Sequence, residues 1–289
     1  MKTSLRRDQA RHFDTRSPYT PISRALRASG FEYPYILKDV MISRVIRGNP
    51  PVAGDRVLDV GCGRGIMLDR LHASYKTVGY GIDVSNASLK GARSESVNPH
   101  RVAASEGENL PFADDCFDLA VSFDVLEHVP ASDTVLAEMV RVLRPGGTIL
   151  CYAVSRKNEF TLNWFLAKAL DMLGVDHWSW SAHSPDRLVD PDLAMAQLER
   201  EGCWIEVFRP FHAFFTILFD QSLLVLYWLA GRLGTPSEGR DVVSAPASRL
   251  LRLISAMCVK LLGPLERLDA PWVNRGLCNG FLISARKAG

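Results

Sequence analysis

The residues best suited to chemistry lie in Val57-Leu58-Asp59-Val60-Gly61-Cys62-Gly63-Arg64-Gly65. There an apolar run carries an acid near its end and continues into three glycines at alternate positions. Glycines so placed permit a tight turn from strand to helix and let a ligand lie against bare backbone, where a side chain would collide with it. A dinucleotide loop needs the pattern G-x-G-x-x-G, and counting from Gly61 its third glycine falls on Ile66. The loop is not closed by Lys followed by Ser or Thr either, so it is no phosphate cradle of the Walker type. Asp59 instead offers a carboxylate, which suits a cofactor bearing positive charge better than one bearing phosphates. A second apolar run, Tyr80-Gly81-Ile82-Asp83-Val84-Ser85, also ends in an acid. Asp83 can serve a ligand, or it can cap the helix that follows.

These acids and glycines have to be positioned by elements that alternate in type. Arg56–Val60, Thr77–Ile82, Phe117–Ser122 and Thr148–Val154 read as strands, and Ile66–Ala73, Ser85–Arg93 and Ala131–Leu143 as amphipathic helices between them. A helix over Ile36–Arg47 precedes them and stops at Asn49-Pro50-Pro51, since proline cannot continue a helix. Pro191–Glu201 reads as a further helix, Trp204–Arg209 and Gly280–Arg286 as late strands. Val, Ile and Leu dominate the strands without strict alternation, which implies burial on both faces, as in a parallel sheet. The expected fold class is α/β: an open, doubly wound, mostly parallel sheet with a late helical insertion.

That insertion has two parts. Phe211–Leu233 is apolar almost all round, interrupted by Asp220 and Gln221. After a Gly, Pro and Ser linker, Arg249–Leu268 places Leu250, Ile254, Met257, Leu261 and Leu265 at helical spacing, with Arg249, Arg252, Lys260 and Arg267 supplying positive charge. An acid near the middle of the first part costs about 2.5 to 3.5 kcal/mol on membrane-insertion scales, which argues against a span. The expectation is a helical cap that covers substrate or lies on a membrane as a monotopic anchor with its basic face toward headgroups; the alternative is that both helices bury their apolar faces against the core or against a second copy in a homodimer. The expected division is an N-terminal lid or helical segment over 1–48, a core over 49–210 plus 276–289, and the cap over 211–275.

Three further segments fall in order. They are Ser105-Glu106-Gly107-Glu108-Asn109-Leu110-Pro111-Phe112, then Phe117 through Ser122 continuing into Phe123-Asp124-Val125-Leu126-Glu127-His128-Val129, then Leu143-Arg144-Pro145-Gly146-Gly147-Thr148. With the glycine loop and Asp83, they resemble the class I S-adenosylmethionine-dependent methyltransferases, and most closely their type 11 methyltransferase domain, over about residues 50 to 155. The resemblance implies a seven-stranded Rossmann-like sheet and S-adenosyl-L-methionine as cofactor. It puts Asp59, Gly61, Cys62, Gly63 and Gly65 in the cofactor loop, Asp83 on the ribose hydroxyls with Val84 beside it, Glu106 and Gly107 at the adenine, and Phe123 at the end of the fourth strand. Glu106 departs from the family's more usual Asp. His12-Phe13-Asp14 and Tyr19 are similar to a lid segment of some members, with Tyr19 reaching the cofactor; a helix packed by its aromatic face is the alternative. His128 falls near the expected methyl group, where imidazole could act as a base, or it could pack against the cofactor; Glu127 beside it reads as structural. His177, Trp178, Trp180 and His183 suggest a substrate wall. No Asn-Pro-Pro-Tyr or Asp-Pro-Pro-Tyr follows the fourth strand, which disfavours amino-group acceptors and leaves an oxygen or carbon acceptor.

Composition bounds the rest. The 289 residues are 47% hydrophobic and 23% charged with a net charge of +2, which excludes a disordered chain and gives no strong basic excess for nucleic acid. The six cysteines form no CxxC pair or metal-ligand cluster, so they read as reduced, buried thiols and no metal is expected. Met1 to Arg16 is polar and carries no apolar leader, so the expected location is cytoplasmic, with a peripheral place at the inner face of a membrane as the alternative. The expected function is methyl transfer to a small, hydrophobic or lipid-linked molecule. A non-catalytic module of the same fold that acts through protein partners is the competing reading.

Overall fold

The computed structural model describes residues 36–95, 100–172, 187–220, 222 and 245–289. Its strands are Arg56–Val60 (β1), Val78–Asp83 (β2), Arg101–Ala104 (β3), Phe117–Phe123 (β4), Leu143–Val154 (β5), Cys203–Phe211 (β6) and Gly280–Lys287 (β7). They form one sheet in the order β3-β2-β1-β4-β5-β7-β6. The first five run parallel, and β7 runs antiparallel to both β5 and β6. The helices are Ile36–Gly48 (α1), Ile66–Tyr75 (α2), Asn86–Glu95 (α3), Ser132–Val142 (α4), Leu162–Met172 (α5), Pro191–Arg200 (α6) and Ala245–Val273 (α7).

Alternate strand residues feed two cores, as the two-residue period of a strand requires. On one face Leu37, Met41 and Ile42 of α1, Leu68 and Leu71 of α2 and Leu262 of α7 pack on Val57, Val121, Tyr152 and Leu282. On the other face Val135 and Met139 of α4 and Leu198 of α6 pack on Leu58, Ala120, Cys151 and Ile283. With both faces covered, the near-continuous apolar runs of the strands are explained. Local signals set several ends: Asp190 accepts from the backbone N–H groups of Asp192 and Leu193 and starts α6, with Pro191 at its first position.

Strand order reverses between β1 and β4. In open α/β sheets such a switch point leaves a crevice beyond the carboxyl ends of the strands, and ligands bind there. Gly61 to Gly65, Val84, Asp124 and the turn to His128 all follow the carboxyl ends of strands beside this point.

With β7 antiparallel to its neighbours the sheet is mostly parallel, as expected, and the structure departs from the sequence reading in four places. The turn expected at Arg144-Pro145-Gly146-Gly147 lies inside β5, as a register shift opposite Phe117 to Leu119 with Gly146 left-handed. Helix α5 was not anticipated. Phe211 closes β6 and is not part of the apolar helix, whose described portion comes after it. Helix α7 is longer than expected and carries Pro264 and Pro271 within it; Leu262 and Asp269 are buried and Met257 is exposed. Among the described cysteines none forms a disulfide; Cys62, Cys151, Cys203 and Cys278 are buried and Cys116 is half-buried.

Candidate active site

The glycine loop folds over the end of β2. Gly61 and Cys62 both donate their N–H groups to the Ile82 carbonyl, at 2.8 and 2.9 Å. Gly63 then donates to Asp83 Oδ2 at 2.8 Å, and Ser85 donates its N–H to Asp83 Oδ1 at 2.7 Å. Asp83 therefore ties the loop to the end of its own strand. Ser85 Oγ accepts from the Ser88 N–H at 3.1 Å at the start of α3.

Gly61 is required twice over. Its φ is 79°, and a Cβ built there would overlap Cγ2 of Val125. The turn after β4 consequently packs against the glycine loop, which brings two motifs separated by sixty residues into contact. Around Gly63, by contrast, a Cβ would meet nothing, so the loop presents open space there. Asp59 is buried in β1 between Gly81 of β2 and Val121 of β4.

The other expected residues gather at the same strand ends. Ser105 donates its N–H to the Asp83 carbonyl at 3.2 Å, which sets Glu106 and Gly107 next to β2. Gly107 is buried against Val60 and Val135, and Glu106 is half-buried. Phe123 is buried at the end of β4, Cys62 is buried against Gly81, and Val84 exposes its apolar side chain beside Asp83. His128 lies half-buried in the turn, its N–H donated to the Val125 carbonyl at 2.8 Å. Tyr19, His12, Phe13, Asp14, His177, Trp178, Trp180 and His183 lie outside the described residues.

Sequence reasoning missed a charged cluster behind β4. Asp124 turns the chain with φ 55° and donates its N–H to the Tyr152 carbonyl at 3.1 Å. Lys38, from α1, donates to Asp124 Oδ2 at 2.5 Å, and its ammonium lies 4.7 Å from the centre of the Tyr152 ring. Glu127 is buried in the same turn. Burial first, and then the charge of Asp124, push its carboxyl up to about 8, against the opposing effect of Lys38 and of backbone hydrogen bonds. The available signal was a lysine inside the apolar run Ile36-Leu37-Lys38-Asp39-Val40-Met41.

Helix α1 is itself held from far along the chain. Asp220 accepts from the Leu37 N–H at 3.0 and 3.2 Å and pairs with His212 Nε2 at 2.8 Å, all inside the protein. Asp269 of α7 in turn accepts from the N–H groups of Ala213, Phe214, Phe215 and Thr216, between 2.6 and 3.3 Å, and from the Thr216 hydroxyl. The acid that counted against a membrane span is thus the cap of another helix. Asp39 and Arg70 complete the docking of α1, on α2.

Residues 58–151 match the family described as the methyltransferase domain. Over that stretch the chain carries a domain of the S-adenosylmethionine-dependent methyltransferase type. A demethylmenaquinone methyltransferase of Symbiobacterium thermophilum is 27% identical over 63% of this chain and 76% of its own length. A ubiquinone biosynthesis O-methyltransferase of Thiobacillus denitrificans is 36% identical over 37% of this chain and 47% of its own. The solved phosphoethanolamine N-methyltransferase 2 of Haemonchus contortus, in complex with S-adenosyl-L-methionine, aligns with 97% of this chain and 60% of its own at a TM-score of 0.61 and 17% identity, a likeness of fold. This chain therefore spans less than two thirds of the latter two proteins. The methyltransferase cofactor is S-adenosylmethionine, and the expected seven-stranded, mostly parallel sheet is the one found.

Proposed function

We propose that this chain transfers a methyl group from S-adenosylmethionine to an oxygen or carbon acceptor on a small, hydrophobic or lipid-linked molecule. The observation that carries the reading is the joint made by Asp83, Gly61 and Val125. It gathers the glycine loop, the acid at the end of β2 and the turn after β4 at one switch point. The residues fit the cofactor. Open space over Gly63 admits a ligand against backbone, the Asp83 carboxylate can accept two ribose hydroxyls, and exposed Val84 offers an apolar edge beside it. Asp59, Gly61, Cys62, Gly65, Glu106, Gly107 and Phe123 complete the proposed cofactor set. The bound sulfonium supplies an activated methyl group, so the chain's own work is to hold, orient and keep water out.

Two of the proteins named above support the acceptor class, the demethylmenaquinone methyltransferase and the ubiquinone biosynthesis O-methyltransferase. Peripheral contact of 211–268 with a membrane belongs to the same proposal, since a lipid-linked acceptor must be reached. Exposed Leu218, Met257 and Leu268 in that stretch support it, and among the described residues no helix is long and apolar enough to cross a membrane. Flotation with anionic vesicles tests that contact, with a homodimer through the same side chains as the competing outcome.

Calorimetric titration of the protein with S-adenosylmethionine, with NAD as control, tests the central reading. Micromolar binding is expected, weakened about 100-fold in Asp83→Ala, because charge-assisted hydrogen bonds of about 1.5 to 3 kcal/mol are lost. No binding by a folded wild type would move the partner-module reading to the front.

A further inference from the structure

The cluster behind β4 is a costly thing to build. An ammonium removed from water loses several kcal/mol of hydration unless it is well paired, and a side chain held at positive φ adds strain. Both costs fall on the turn that abuts Gly61, at the carboxyl end of the strand flanking the switch point. The three charged groups differ in access. The side chain of Lys38 is 3% exposed and Glu127 is 1% exposed, whereas the carboxylate of Asp124 is 27% exposed. Asp124 is thus the member that meets solvent or a ligand beyond β4.

The charges face one another from three elements. Lys38 comes from α1, Asp124 and Glu127 from the turn after β4, and β5 contributes the Tyr152 ring and the Val154 N–H. A second carboxylate so close to the first cannot share its ionisation in a buried setting, and burial selects Glu127 as the protonated one. Lys38 and Asp124 form an ion pair beside the buried Glu127 carboxyl.

We propose that Asp124 receives the proton of the methyl acceptor, and that Lys38 and Glu127 are positioning residues that fix its direction. The inference rests on the methyl-transfer reading above. The acceptor hydroxyl gives its proton to an Asp124 oxygen as its own oxygen bonds to the methyl carbon. The carbon–sulfur electron pair stays on sulfur, and the positive sulfonium and the negative carboxylate are neutralised together. The proton then leaves to solvent through the exposed carboxyl. This chemistry selects the substrate class. A carboxylate is too weak a base for an aliphatic alcohol, but it can assist an acidic hydroxyl such as a phenol, whose ordinary pKa is about 10.

The test uses the full chain, with catechol as methyl acceptor for the rates and a nitrocatechol, whose absorbance reports its ionisation, for the titration. Asp124→Asn is the informative variant because Asn tolerates the left-handed backbone at this position. It is expected to keep S-adenosylmethionine affinity within about 3-fold while methyl transfer falls about 100-fold or more with KM little changed. In the absence of turnover, the bound nitrocatechol should ionise at lower pH in Asp124→Asn than in the wild type, because the carboxylate that favours its protonated form is gone. Lys38→Met should lose rate as Asp124→Asn does, with Lys38→Arg recovering most of it. Glu127→Gln should remove the change in rate that the wild type shows as pH rises through about 8. Arg44→Ala, on an exposed stretch of α1, is the control with unchanged rate.

Full activity and an unshifted absorbance titration in Asp124→Asn would overturn the assignment. A wild type that binds S-adenosylmethionine but neither binds the nitrocatechol nor methylates catechol would overturn the acceptor class. A wild type that fails to bind S-adenosylmethionine would overturn the underlying reading, and the assignment with it.

Discussion

The acid at the end of β2 and the acids behind β4 are held in opposite ways. Asp83 is bonded by the N–H groups of Gly63 and Ser85, donors fixed by the loop and strand end that carry it. Asp124 depends on a lysine 86 positions away, and Lys38 depends on a helix whose first turn is capped by Asp220, 183 positions from Leu37. Backbone donors cost no side-chain ordering and cannot be titrated away. A side-chain cation brings a charge that can be tuned, but its position is only as secure as the helix that bears it. The local arrangement suits a cofactor shared across a family; the distant one can be changed without disturbing the loop.

The sharpest way to break this comparison is to remove the distant support. Asp220→Ala leaves the Leu37 N–H and His212 without their acceptor in a sealed interior, and is expected to cost about 3 to 5 kcal/mol in chemical denaturation. Asp83→Ala, at the half-buried local site, is expected to cost about 1 kcal/mol in the same assay. Equal losses would show that the two acids are not held differently.

The next effect is one of pH. The Glu127 carboxyl is raised from 4.5 when unfolded to about 8 in the folded protein. Its contribution to stability is complete below pH 4.5 and is lost as pH rises toward 8, because the unfolded chain ionises freely while the folded one does not. Melting followed across this window should show wild-type stability falling by about 4 to 5 kcal/mol relative to Glu127→Gln, which carries no such charge. Parallel curves would mean that Glu127 is ionised alongside Asp124.

Within the loop the effects are steric and smaller. Gly61→Ala combines overlap with Val125 and a strained φ, for about 2 to 3 kcal/mol. Adding Val125→Ala should relieve the overlap and leave about 1 kcal/mol from the backbone. The smallest expected change is Ser85→Ala, about 1 kcal/mol for a lost helix cap, with little effect on the bonds that Asp83 makes.

The same contrast explains what could be read from the sequence. Apart from β3, the strand and helix order over residues 56–154, and the convergence of Asp59, the glycines, Asp83, Glu106 and Phe123, followed from motifs whose parts are close in the chain. Strand β3 is only four residues long and mostly exposed, so no apolar pattern marked it. Helix α5 leaves Phe165, Leu166 and Met172 exposed, which blurs its periodicity. Lys38 and Asp124 could not be joined on paper, because no local spacing relates them. Asp220 was legible as a misfit in an apolar run, but its partners, Leu37 and His212, lie on other elements or in the turn after β6.

The place of β7 also has a consequence in time. It follows β6 in the chain yet fills the slot between β5 and β6, pairing Thr148 with Arg286 on one side and Trp204 with Arg286 on the other. During synthesis β6 therefore emerges with no strand to join, and β5 keeps a bare edge, for on the order of 5 to 15 s at ribosomal rates. Such an edge invites pairing with other chains. Nascent copies should accordingly be most in need of chaperones in this interval, after the glycine loop has formed and before Gly280–Lys287 closes the sheet.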